Sequence, residues 1–219
     1  MNSLNRWSLR LMAMLVLLIL SPATMALESS KSALASQIAD AVILPGYARL
    51  EASARLQRDT LRTLCDAPGS DTLQRARAGF AALVDAFSRI EFVRFGPARQ
   101  DYRFERLFFW PDRRGRGLKQ VKGLIRSQDE TALSVASLRA KSVAVQGLPA
   151  LEYVLHGTGS EQLVSAQDGF RCGYALAIAD NVLGLGSELA AGWNAPGGHR
   201  DLMAAPGPRT RSIGRTPSR

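Results

Sequence analysis

The chain has 219 residues, 46% of them hydrophobic, and a formal net charge of +9. The charge sits at the ends: Arg6 and Arg10 open the chain, Arg200, Arg209, Arg211, Arg215 and Arg219 close it against the single acid Asp201, and the body between them holds 21 basic and 18 acidic residues. A near-neutral body without basic motifs interleaved with aromatics excludes nucleic acid as a partner, and beyond Ala26 no segment is apolar and long enough to cross a bilayer.

The first element is a targeting segment. Arg6 and Arg10 precede an unbroken apolar run from Leu11 to Leu20, followed by Ser21-Pro22 and the small-residue stretch Ala23-Thr24-Met25-Ala26. This order is that of a secretion signal over residues 1–26, cut after Ala26; the run is shorter than the roughly 20 residues that span a membrane, and an uncleaved anchor is the alternative. The expected location is the periplasm or cell envelope. Only Cys65 and Cys172 are present, and in an oxidising compartment they suggest one structural disulfide, with two separate buried thiols as the alternative.

Apolar residues then recur at helical spacing, with no series of alternating β-branched runs, so the expected fold is all-α, an up-and-down helical bundle over residues 27–195. Ser32 to Ile43 reads as a first helix, and Pro45 opens a second that reaches Cys65. The Pro68-Gly69-Ser70 turn ends it, and Asp71 caps a third in which Phe80, Leu83, Val84 and Phe87 form one stripe. Gly96-Pro97 stops that helix. Tyr102 to Phe109 reads as a further helix, Trp110-Pro111-Asp112 as a corner, and Arg113 to Gly117 as a solvated basic turn, with an anion site at Arg113, Arg114 and Arg116 as the alternative. Leu118 to Arg126 is a short helix, Asp129 or Thr131 caps another that reaches Val145, and Gly147-Leu148-Pro149 breaks the chain before a new start. Asp168 to Ala191 is the last helix, with Tyr174, Ala177, Ile178, Asn181, Leu185 and Leu189 on one face. After Trp193 the Gly, Pro and Arg content predicts no packed element, so residues 196–219 are expected to be a disordered tail.

Enzyme motifs are absent: there is no HExxH, no G-x-S-x-G, no phosphate-binding loop and no dinucleotide fingerprint. The segment that carries chemistry is Gly147-Leu148-Pro149-Ala150-Leu151-Glu152-Tyr153-Val154-Leu155, because it places Glu152 on an otherwise apolar helix. A carboxylate there must be paired, hydrogen-bonded or metal-bound; Arg94 and Arg139 are the candidate ion-pair partners. His156, four residues on, shares the face of Glu152 and is a second metal-ligand candidate, or else a helix-end histidine beside Gly157. Trp110, Asp112 and Asn181 are candidate cleft-lining residues.

Gly147 to Leu155 resembles the signature of the imelysin-like proteins, also catalogued as metallopeptidase family M75, whose usual form is G-x-H-x-x-E on a helix. The resemblance extends to Arg94-Phe95-Gly96-Pro97, to Phe109-Trp110-Pro111-Asp112 with Arg116-Gly117-Leu118, to Cys172 and its helix, and to Gly192-Trp193-Asn194-Ala195-Pro196, fading near Pro208. It implies an exported protein of two helical bundles that binds a divalent metal or iron and works with envelope iron-uptake components. The chain departs from the family at Pro149, which stands where the motif has histidine and offers no donor atom. It therefore looks like a distinct G-L-P-A-L-E subgroup, and of the motif only Glu152 carries over as a metal ligand. The Arg-rich ending suggests a remnant of a longer gene with the second bundle largely missing. The expected function is non-catalytic metal binding or iron acquisition; a secreted metal-dependent peptidase and a structural or partner-binding bundle are the alternatives.

Overall fold

The computed structural model describes residues 31–165 and 169–205, and every regular element among them is helical. The expected signal segment, its cut after Ala26, and the tail from Pro206 onward lie outside the described residues. Three long helices make the frame: α1 (Leu44–Asp66), α2 (Ser70–Ser88) and α7 (Gly169–Asn194). Shorter helices fill the rest: α3 (Arg103–Leu107), α4 (Arg116–Ser127), α5 (Val135–Arg139), α6 (Leu148–His156) and α8 (His199–Ala204). None is long and apolar enough to cross a membrane.

The frame follows from the apolar stripes. Leu50, Leu61 and Leu64 of α1, Leu83 of α2, Leu151 and Leu155 of α6, and Tyr174, Ile178 and Leu185 of α7 all belong to one buried core. Each such leucine contributes about 1.5–3 kcal/mol on burial. The α1–α2 turn is short, so the two helices run antiparallel. α7 also lies antiparallel to α1, tied at three levels. Cys65 is disulfide-bonded to Cys172, with their Cα atoms 5.7 Å apart. Arg58 Nε lies 2.9 Å from Asp180 Oδ1, and the Ser187 hydroxyl donates to Glu51 at 2.9 Å.

Four expectations are corrected. The first two predicted helices form one run: residues 31–38 are helical and pass through a π-helical turn, Ala39–Ile43, in which Leu44 N–H donates to Ala39 O, so the wider turn absorbs Pro45 without a break. The predicted Tyr102–Phe109 helix shrinks to α3, because Asp101 and Tyr102 both take left-handed φ, 51° and 56°. That pair is held by Arg106 Nε donating to Asp101 O at 2.8 Å and by Arg103 Nη1 donating to Pro97 O and Gln100 Oε1 at 3.1 and 2.9 Å. The predicted helix up to Val145 is broken into the 3₁₀ turns Glu130–Ala132 and Val143–Val145 around α5, since Ser134 and Ser142 side chains accept the amides of Ser137 and Ala144 and restart the backbone each time. Finally, packing does not stop at Trp193. α8 lies within the predicted tail: His199 packs edge-on against Trp193 at 4.8 Å, Arg200 pairs with Asp40 at 2.7 Å, and the Ser32 hydroxyl donates to Ala204 O.

Candidate functional site

The motif segments separate into two groups. Arg94-Phe95-Gly96-Pro97 and Gly192-Trp193-Asn194-Ala195-Pro196 pack on each other: Phe95 meets Trp193 edge-on at 5.6 Å, and a Cβ at Gly192 would sit 2.9 Å from Pro97. These are structural. The other group supplies Phe109, Trp110, Asp112, Gly117, Leu118 and the exposed face of the α6 signature to the lining of one cavity of about 490 Å³.

α6 is built to present that cavity's rim. Pro149 in its first turn needs no amide partner, and Leu148, Ala150, Leu151, Val154 and Leu155 are buried, which leaves Pro149, Glu152, Tyr153 and His156 to face the opening. The far end is held by Arg77 of α2, whose Nε donates to Leu155 O at 2.8 Å and whose Nη2 donates to Ser160 Oγ at 3.1 Å. The near end is held by α7. There the Tyr174 hydroxyl donates to Val145 O at 2.6 Å, and Asn181 Nδ2 donates to Gln146 O at 2.9 Å. Glu188 accepts from Arg139 at 2.8 Å and Arg103 at 2.9 Å. Partial burial raises the Glu188 pKa, but the two guanidinium hydrogen bonds outweigh it and hold the carboxyl below its ordinary value.

The candidates fare differently. Glu152, His156, Trp110 and Asp112 all line the cavity. Asn181 does not: it is fully buried, accepts from Arg139 Nε at 2.7 Å, and serves to fix the entry to α6. Nor is Glu152 in a buried ion pair. It is exposed, Arg139 is engaged by Glu188 and Asn181, and Arg94 lies over the Phe104 ring at 4.5 Å. Asp112 lines the opening with its oxygens already occupied, accepting Gly117 N–H and Leu118 N–H at 3.1 Å each; those backbone bonds, Leu118 first, lower its pKa. The His156 ring lies 5.8 Å from Phe80; desolvation and then the Arg77 charge lower its pKa, while Glu152 opposes the shift. Tyr153, over which Lys122 sits at 5.4 Å, is a rim residue that periodicity alone hides, although its place beside Glu152 in the signature was the available signal.

As a metal set these residues are sparse. Pro149 brings no donor, the Asp112 oxygens hold amides, and Glu152 with His156 makes two donors. Among the described residues no three His, Cys, Asp or Glu side chains gather as a metal group. The set does not fit a resident zinc, which takes three or four protein ligands.

The sequence model of the imelysin family, peptidase M75, matches residues 43–216, past Pro208 where the motif resemblance fades. No curated protein matches the chain. Among solved structures it is similar to an imelysin-like protein from Psychrobacter arcticum 273-4, with a TM-score of 0.67 and 26% identity, covering 80% of this chain and 54% of that one. It thus spans about half the length of that protein. With a family match over most of its length and a structural relative bearing the same description, the chain belongs to the imelysin family.

Proposed function

We propose that this protein is an exported, non-catalytic binding protein of the cell envelope, serving metal handling or iron acquisition, and that it binds through the Glu152 cleft. The observation that carries the reading is convergence: the motif stretch from Phe109 to Leu118 and the α6 signature, some thirty residues further on, line a single cavity of about 490 Å³. Its size is within the range of ligand sites, about 300–1,000 Å³, and its mixture of aromatic wall and few polar groups is that of a binding cleft. Metal enters here as cargo. Two donors one helical turn apart leave most coordination positions to groups that arrive with the metal, which suits capture and release better than a permanent site.

Secretion is supported by the Arg6 to Ala26 pattern and by the Cys65–Cys172 bond, which is at home in an oxidising compartment. A hydrolytic role would need a third metal ligand or an activated nucleophile at the cleft, and its described lining provides neither.

The test is a thermal melt followed by circular dichroism, with and without iron, copper, zinc and calcium, on the chain and on Glu152→Ala. A ligand that binds only the folded state at 100 times its Kd adds about 2.7 kcal/mol. A rise in Tm that disappears with Glu152→Ala is expected; melts indifferent to every metal would overturn the reading, and peptide cleavage sensitive to chelator would replace it.

A further inference from the structure

A second cavity, of about 340 Å³, opens on the other side of Trp110. It is built by the strained segment between Gly96 and α3 together with the chain that follows. Phe104 and Phe108 make its floor, resting on Phe87 at 6.0 and 5.3 Å. Trp110 lies nearly parallel to Phe108, with ring centres 6.4 Å apart, and is 69% exposed. Tyr102, also 69% exposed, borders the same cavity. Two large aromatic side chains are thus left in water around one opening.

The backbone adds a second sign. Tyr102 and its neighbour Asp101 adopt left-handed φ, a conformation that costs a non-glycine residue energy, and Arg103 and Arg106 clamp it. Strain of this kind clusters at ligand-binding sites. Here it presents Tyr102 at the cavity rim.

Charge completes the site. The Arg94 guanidinium lies over the Phe104 ring at 4.5 Å and its Nε donates to Glu91 O at 3.2 Å, while its terminal nitrogens make no hydrogen bond among the described residues. Arg99 also lines the cavity and makes no hydrogen bond or ion pair among the described residues. Glu105 is the one acid in the lining, and among the described residues no ion pair joins it to Arg94 or Arg99. Guanidinium donors recognise a carboxylate, and aromatic walls recognise a planar ring.

We propose that this cavity binds a small hydroxylated aromatic carboxylate, with its ring between Tyr102 and Trp110, its carboxylate on Arg94 and Arg99, and its hydroxyl donating to Glu105. The volume admits one ring or two fused rings. The site shares Trp110 with the Glu152 cleft as a common wall, its other lining residues are its own, and it does not depend on the function assigned to that cleft.

Calorimetric titration of the chain with 4-hydroxybenzoate, beside its uncharged methyl ester, tests the assignment. The acid is expected to bind at least tenfold more tightly than the ester, and Arg99→Gln is expected to erase that preference. Tyr102→Gly relieves the left-handed strain, so it is expected to melt at least as high as the parent while binding at least fivefold more weakly. Amide shifts on titration should centre on Arg94, Arg99 and Tyr102. Equal binding of acid and ester, an unchanged affinity in Arg99→Gln, or shifts centred on Glu152 and Tyr153 would each overturn the proposal.

Discussion

Gly147 lies directly against the carbonyl oxygen of Leu107, so that a Cβ built on it would fall 2.4 Å from that oxygen and 2.3 Å from that of Arg106. Both obstacles are backbone at the end of α3 and cannot rotate away. Gly147→Ala is therefore expected to cost about 3 kcal/mol, in the upper range of overpacking, and to loosen the start of α6. Gly123, inside α4 with open space around its would-be Cβ, is the contrast: Gly123→Ala should raise stability by about 0.5–1 kcal/mol, as alanine does in a helix interior. Urea melts of the two variants would show opposite shifts in midpoint; the same sign for both would contradict the packing around Gly147.

The bond between Cys65 and Cys172 closes a loop with a sequence separation of 107. In the chain-entropy account such a loop contributes about 4 to 5 kcal/mol by restricting the unfolded chain. Paired Cys65→Ser and Cys172→Ser substitutions, or reduction, should lower Tm markedly while the far-ultraviolet spectrum at low temperature stays helical. No change in Tm on reduction would mean that the ties at Arg58–Asp180 and Glu51–Ser187 suffice.

His156 reports on the cleft through its titration. Its pKa is lowered by desolvation first and Arg77 second, against the pull of Glu152. A histidine pKa below its unfolded value means that the unfolded chain binds the extra proton first. The stability from this group is therefore complete above the ordinary histidine range and is lost as pH falls through the lowered folded value. In NMR titrations His156 should titrate below a model histidine, Glu152→Gln should move it lower still, and Arg77→Gln should move it up; a shift upward in Glu152→Gln would show that the carboxylate does not face the ring.

The same face offers a gain-of-function test. Positions 149, 152 and 156 fall one above another on α6, with proline at the first of them. Pro149→His should give three donors where there are two, at a modest cost in helix-start rigidity of about 0.5–1 kcal/mol. Zinc should then raise the Tm of Pro149→His well above its effect on the parent. An equal effect on both would mean that the three side chains do not converge.

How much of this could be read from residue order depends on the range of the contacts involved. Helical periodicity announced the three long helices, and the spacing of Glu152 and His156 placed both on one face. Ser134 and Ser142 look like ordinary helix residues until their hydroxyls are seen accepting the amides of Ser137 and Ala144. Asn181 on an apolar face is ambiguous in one dimension, since its partners Arg139 and Gln146 come from a distant segment. α8 was hidden for the same reason: what orders it is the edge-on packing of His199 against Trp193 and the pairing of Arg200 with Asp40, across almost the whole chain. Tyr102 left no periodic trace, because its exposure is set by backbone dihedrals.

The ties between α1 and α7 also impose a schedule. The central hydrophobic face of α1 is made early when a chain is delivered from its N-terminus, yet the helix that covers it, and the thiol that Cys65 joins, arrive only after more than a hundred further residues. Until then α1 has α2 alone for company. Such a long-range closure is slow in folding terms and leaves the growing chain open for most of its synthesis. The architecture thus withholds its last and most binding contact, the cover of α7 on α1 and the disulfide with it, until most of the chain has been made.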